Sequence, residues 1–110
     1  IMRMKKKGIR DGDHDATIVD VTYSSDKNGE DFARVFFDTD SGEEYSDVIF
    51  SNFGKKDAFA AKAYDFLEGE GDESDIDLDD LFNQKCTITV KEKGDFQNIV
   101  AIEFHQDRNE

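Results

Sequence analysis

KKDAFAAKAYDFL, Lys55 to Leu67, is the one stretch of this 110-residue chain whose alanine content and apolar spacing argue for a helix of several turns. Phe59, Ala63, Phe66 and Leu67 fall on one stripe, the face that would pack against a sheet or the end of a barrel. Ahead of it, Ser51-Asn52 offers a cap, Phe53-Gly54 lets the chain turn, and Asp57 complements the dipole in the first turn. Gly69 and Gly71 stop it. Everything outward from this helix reads as strand. Three strand-like blocks precede it and two follow, so the expected order is β-β-β-α-β-β, a mainly β fold of five strands in a barrel with one helix between the third and fourth.

The first block, Ala16 to Tyr23, shifts its apolar phase between Ile18 and Val19, which is what a bulge does where a strand bends. A polar loop, SSDKNGED (24–31), follows, with Asn28-Gly29 marking a tight turn. The second block, Phe32 to Asp38, carries large side chains on both faces: Phe32, Arg34 and Phe36 on one, Ala33, Val35 and Phe37 on the other. A turn around Ser41-Gly42 leads to the third block, Tyr45 to Ser51. Beyond the helix, DIDLDDLF (75–82) has the form of one short helical turn that tucks Leu81 and Phe82 onto the barrel while its acids face water. The fourth block, Lys85 to Lys91, alternates cleanly, with Cys86, Ile88 and Val90 on one side. Glu92 to Asp95 turns through Gly94 into the fifth, Phe96 to Phe104. The expected organisation is a basic flexible arm over residues 1–12, a single barrel domain over 13–104 and a polar tail over 105–110.

Charge is the unusual global property. There are 27 acids and 14 bases, a net of −13, and five of the bases (Arg3, Lys5, Lys6, Lys7, Arg10) precede the first acid. The remainder therefore carries −18, which excludes generic attraction to nucleic acid through overall charge. Nine acids and no base lie between Asp65 and Asp80. Cys86, the one cysteine, allows no internal disulfide and reads as a small buried thiol. No apolar run is long enough to span a bilayer and no signal-peptide core is present, so a soluble cytoplasmic protein without membrane contact is expected.

Catalysis has little support: His14, in a turn, and His105, in the tail, read as surface histidines, and no nucleophile or phosphate loop is recognisable. Asp11, Asp13 and Asp15, like Asp75, Asp77 and Asp79, match the first three positions of a calcium loop. The glycine required at the sixth position is Ala16 or Asp80, and the twelfth-position glutamate is Thr22 or Cys86, so neither metal nor cofactor is expected. What remains is a set of aromatic and basic side chains on strands and hairpins: Lys27, Phe32, Arg34, Phe36, Tyr45, Lys91, Lys93 and Phe96. Stacking platforms interleaved with cations are what single-strand binding needs.

The strand order is that of an OB-fold, whose second and third strands and first and last hairpins form the usual ligand face. ATIVDV, SDKNGEDFARVFFD, the acidic segment before LFNQKCTITV and the closing NIVAIEF together resemble small phage-encoded OB-fold single-stranded-DNA-binding proteins over about Asp13 to Phe104. The resemblance implies a non-enzymatic replication or recombination accessory acting in a host cell's cytoplasm, with single-stranded DNA as partner and the eight residues just named as the face. A second expectation rests on the acids. Glu68, Glu70, Asp72, Glu73, Asp75, Asp77, Asp79 and Asp80 would imitate DNA phosphate toward a basic nucleic-acid-processing protein, as an inhibitor of the anti-CRISPR or anti-restriction type. A third has the barrel forming homo-oligomers through an exposed edge strand.

Overall fold

The computed structural model describes residues 8–50, 58–68 and 77–105. Five strands, β1 (Gly12–Ser25), β2 (Asp31–Thr39), β3 (Glu44–Phe50), β4 (Lys85–Lys93) and β5 (Phe96–Phe104), form one antiparallel sheet in the order β3-β2-β1-β4-β5. The helix α1 (Ala58–Glu68) lies between β3 and β4 in the chain, followed by a one-turn 3-10 helix at Leu78–Leu81. The expected element order is the observed one. The expected helix start, Lys55 to Asp57, and its cap at Ser51-Asn52 lie outside the described residues.

β1 organises the sheet because it is long enough to serve two partners. Its first half pairs with β4, from Gly12 opposite Val90 to Thr17 opposite Lys85, and its second with β2, from Ala16 opposite Thr39 to Ser25 opposite Asp31. The hand-over coincides with the phase slip: the β1–β2 register shifts between Ile18 and Asp20, leaving Val19 as the extra residue of a bulge. Ile18 then bonds to the turn before β4, donating its N–H to Gln84 O at 3.0 Å and accepting Asn83 N–H at 2.8 Å. Asn83 has φ 68°, a left-handed conformation that asparagine tolerates better than most residues.

Alternation decides the core. Ala33, Val35 and Phe37 of β2 are buried, as are Cys86, Ile88 and Val90 of β4, and all but Ala33 share one core cluster with Phe59, Ala60, Ala63 and Leu67 of α1. The Phe59 ring packs 5.7 Å from that of Phe37, and Phe66 stacks on Phe104 at 4.7 Å, which seats α1 over β5 and the sheet.

Four expectations change. The sheet is not closed into a barrel: among the described residues no ladder joins β3 to β5, and the half-buried carboxylate of Asp47 stands at that seam, its Oδ2 3.4 Å from Ile99 N. Phe82 does not tuck in beside Leu81. Leu81 is fully buried whereas Phe82 is 55% exposed, because successive residues around a 3-10 turn point about 120° apart and the two cannot share the buried side. His14 is no surface histidine: it occupies the core face of β1 at 7% exposure, with Nε2 2.6 Å from Arg10 O. His105 is half-buried rather than free in the tail, its N–H on Lys85 O at 2.9 Å and its ring 2.9 Å from Thr87 Oγ1. In the β1–β2 connection the turn is organised by Asp26, whose Oδ1 accepts the N–H groups of Asn28 and Glu30 at 2.9 Å each, with Gly29 at φ 80°.

Candidate nucleic-acid interface

β2 presents two faces, and the one turned from the core holds Phe32, Arg34 and Phe36 in a half-buried row. Their cross-strand partners on β3 are Phe50, Val48 and Ser46. Beside Arg34 and Phe36 opens a cleft of about 750 Å³. One wall is β2 and β3, with Arg34, Phe36, Asp38, Glu44, Tyr45 and Ser46; the β1 bulge adds Val19 and Asp20. The opposite wall is the β4–β5 hairpin, with Glu92, Asp95, Phe96 and Gln97, and the amino-terminal segment Gly8 to Asp11 completes it. Gly94, at φ 64°, makes the two-residue turn that brings Phe96 there directly opposite Lys93.

Four of the eight residues expected on the ligand face therefore converge: Arg34, Phe36, Tyr45 and Phe96. Phe96 is 71% exposed, the barest of the large apolar side chains among the described residues. Arg34 is oriented by a hydrogen bond from its guanidinium to Ser46 Oγ at 3.3 Å. Tyr45 sits opposite Phe37 in the ladder and packs against the core, ring centroids 6.4 Å apart, so only part of its ring is offered to the cleft. Burial of its phenol, reinforced by the charge of Asp47, holds the proton on well above the usual range.

The other four lie elsewhere. Phe32 is packed on Phe50 at 5.4 Å and borders a separate groove of about 460 Å³ with Tyr23, Ile49, Tyr64 and Leu78. Lys27 is exposed in the β1–β2 loop, and Lys91 and Lys93 are exposed on β4 in the phase of Thr87 and Thr89, while the intervening Glu92 lines the cleft. The lysines were legible as hairpin cations, but the facing of a hairpin is not.

Charge within the cleft runs against expectation. Six carboxylates line it (Asp11, Asp20, Asp38, Glu44, Glu92, Asp95) against the guanidiniums of Arg10 and Arg34. Two of the six also serve the fold: Asp11 accepts Glu92 N–H at 3.2 Å, and Asp20 accepts Val21 N–H at 2.9 Å. Arg10 and Gln97, absent from the expected set, are part of the wall. Arg10 carried a weak sequence signal as the last cation before the first strand; Gln97 carried none.

Of the acidic set, Glu70, Asp72, Glu73 and Asp75 lie outside the described residues. Glu68 is half-buried at the end of α1. Asp77, Asp79 and Asp80 are exposed around the 3-10 turn, which Asp77 caps by accepting Asp79 N–H at 3.0 Å. Tyr23 donates its hydroxyl to Asp79 at 2.7 Å. Partial burial, that hydrogen bond and the neighbouring carboxylates Asp79 and Asp77 together keep the Tyr23 phenol protonated well above its usual range. Asp13 and Asp15, the first calcium-like triplet's later members, accept from Thr89 and Thr87 at 2.7 and 2.8 Å. Among the described residues no helix is long and apolar enough to cross a membrane. No protein-family model matches the chain, and no curated protein matches it significantly.

Proposed function

We propose that this protein is a non-enzymatic binder of single-stranded DNA and that its sheet is an opened variant of the OB-fold. The observation that carries the reading is the convergence of Phe36, Tyr45, Phe96 and Arg34 on one cleft, from β2, β3 and the β4–β5 hairpin. Those are the elements from which an OB-fold builds its ligand face. The architectural half rests on β1, which is long, bulged and shared by two ladders, and on α1 between β3 and β4.

Among the described residues, six carboxylates and two guanidiniums line the cleft. Stacking of bases on ring faces supplies most of the affinity, with phosphate contacts secondary, and duplex, whose bases are already stacked, is disfavoured. The role that fits is a replication or recombination accessory of a phage. Titration of a labelled oligothymidylate at low salt tests this: saturable binding, with a duplex of equal length bound far more weakly, is expected. Failure of the single strand to bind at low salt refutes the function.

A second reading has one observation in its favour. Asp77, Asp79 and Asp80 are displayed on a capped turn tied to β1 by Tyr23, a fixed spacing of charge of the kind a DNA mimic would present to a basic nuclease or guided effector. Asp77→Asn with Asp79→Asn removes charge while leaving the cap and the tyrosine acceptor in place. Unchanged capture of such an enzyme by the variant would exclude mimicry through this turn.

A further inference from the structure

The segment Gly8 to Asp11, ahead of β1, is held by side chains. Gln97 on β5 pairs with Ile9 in both directions: its Oε1 accepts Ile9 N–H at 3.2 Å and its Nε2 donates to Ile9 O. The same Nε2 reaches Asp11 Oδ1 at 3.2 Å. A carboxamide is the side-chain group that carries the donor and acceptor of a peptide together, so Gln97 does for Ile9 what a neighbouring strand would do. Ile9 is buried in the core, and His14 Nε2 lies against Arg10 O, so the segment is fixed along its length.

The consequence falls on Arg10, which with Arg34 supplies the positive charge of the cleft among the described residues, beside six carboxylates. We propose that Gln97 is a positioning residue, a clasp that holds the amino-terminal segment Gly8 to Asp11 in the cleft wall so that Arg10 acts on the phosphates of the ligand. The proposal rests on the single-strand reading and adds to it the source of the charge that meets those phosphates. Gly8 supports it independently. A Cβ at that position would run into Gln97 Oε1, the far end of a flexible side chain, so Gly8→Ala displaces the carboxamide and opens the clasp without altering Gln97.

The test uses the full chain with Gln97→Met, which keeps length and volume but no amide, alongside Gly8→Ala and Arg10→Gln. Hydrogen exchange at the Ile9 amide is read without ligand; oligothymidylate is titrated over a range of salt. Exchange at Ile9 should accelerate in the first two variants and stay unchanged in Arg10→Gln. All three should bind about fivefold more weakly at low salt, the scale of a missing surface ion pair or two. The dependence of log K on log salt should flatten by about 0.7 for each phosphate that is no longer neutralised. Unchanged Ile9 exchange in both clasp variants overturns the clasp whatever the ligand does. Accelerated exchange with unaltered affinity and salt slope overturns the positioning role while the single-strand reading stands, and a wild-type protein that binds nothing at low salt overturns both.

Discussion

Phe96→Ala separates a ring kept for packing from a ring kept for a ligand, with Phe37→Ala as its counterpart. Phe96 is 71% exposed at the start of β5, so truncating it removes little apolar surface that folding had buried. The stability change should stay within about 0.5 kcal/mol, the range of surface substitutions away from special features. Phe37 is fully buried, its ring 5.7 Å from Phe59 and 6.4 Å from Tyr45, and its removal should destabilise by about 3–5 kcal/mol. For the ligand the order reverses. Loss of one stacked base at Phe96 corresponds to about 1–3 kcal/mol, and hence to a rise in Kd of about 5- to 150-fold. The chain has no tryptophan, so urea unfolding is followed by far-ultraviolet circular dichroism. Binding of oligothymidylate is followed by the anisotropy of a label on the strand. A loss of more than about 1 kcal/mol of stability in Phe96→Ala would mean the ring is part of the packing after all. Full stability with unchanged affinity would refute its role as a stacking platform.

Asn83→Ala should destabilise by about 1 kcal/mol, because a Cβ residue with no side-chain acceptor is strained at φ 68°, whereas Asn83→Gly should be close to neutral in the same urea titration. Burial, with a smaller contribution from the Asp15 charge, pushes the Cys86 thiol up to about 12. It should therefore resist thiol reagents in the folded protein and react on unfolding. The stability linked to this thiol is fully present below its ordinary 9.0 and is lost as pH rises from there through about 12, which unfolding measured across that window would reveal. Tyr23→Phe removes the hydroxyl bonded to Asp79; stability should fall by no more than about 1 kcal/mol, while exchange of the Asp79 and Asp80 amides quickens as the turn loses its tie to β1.

Much of the fold was legible from short-range pattern. The bulge could be placed between Ile18 and Val19 because a side-chain period of two makes any slip visible as a change of phase. The burial of Cys86, Ile88 and Val90 followed from the same alternation, and β5 begins and ends at the residues expected, Phe96 and Phe104. The candidate site was legible in part. Arg34 and Phe36 were recognisable as neighbours on one face of β2, and Phe96 as a hairpin aromatic. Which face of the β4–β5 hairpin borders the cleft was not, and it is the side of Glu92, in phase with Val90, rather than that of Lys91 and Lys93.

What the sequence by itself determined is local: five strands, one helix between the third and fourth, and which residues of β2 and β4 share a side, since alternation and turn formation depend on the backbone stereochemistry of adjacent residues. Only the tertiary structure decided which apolar residues of β5 are core. Phe96 and Phe104 are the same residue type at the two ends of one strand, yet one is 71% exposed and the other 7%: the ladder with β4 shifts register between Thr89 and Val90, so Phe96 lies opposite Lys93 on the outer face while Phe104 lies opposite Cys86 on the core face, where Phe66 of α1 stacks on it. Gln97 and Ile9 meet across 88 residues of chain, a distance over which no periodicity carries information. His14 and the open seam between β3 and β5 follow the same rule: a side chain's environment is set by the elements that fold against it, and those are chosen by the whole chain.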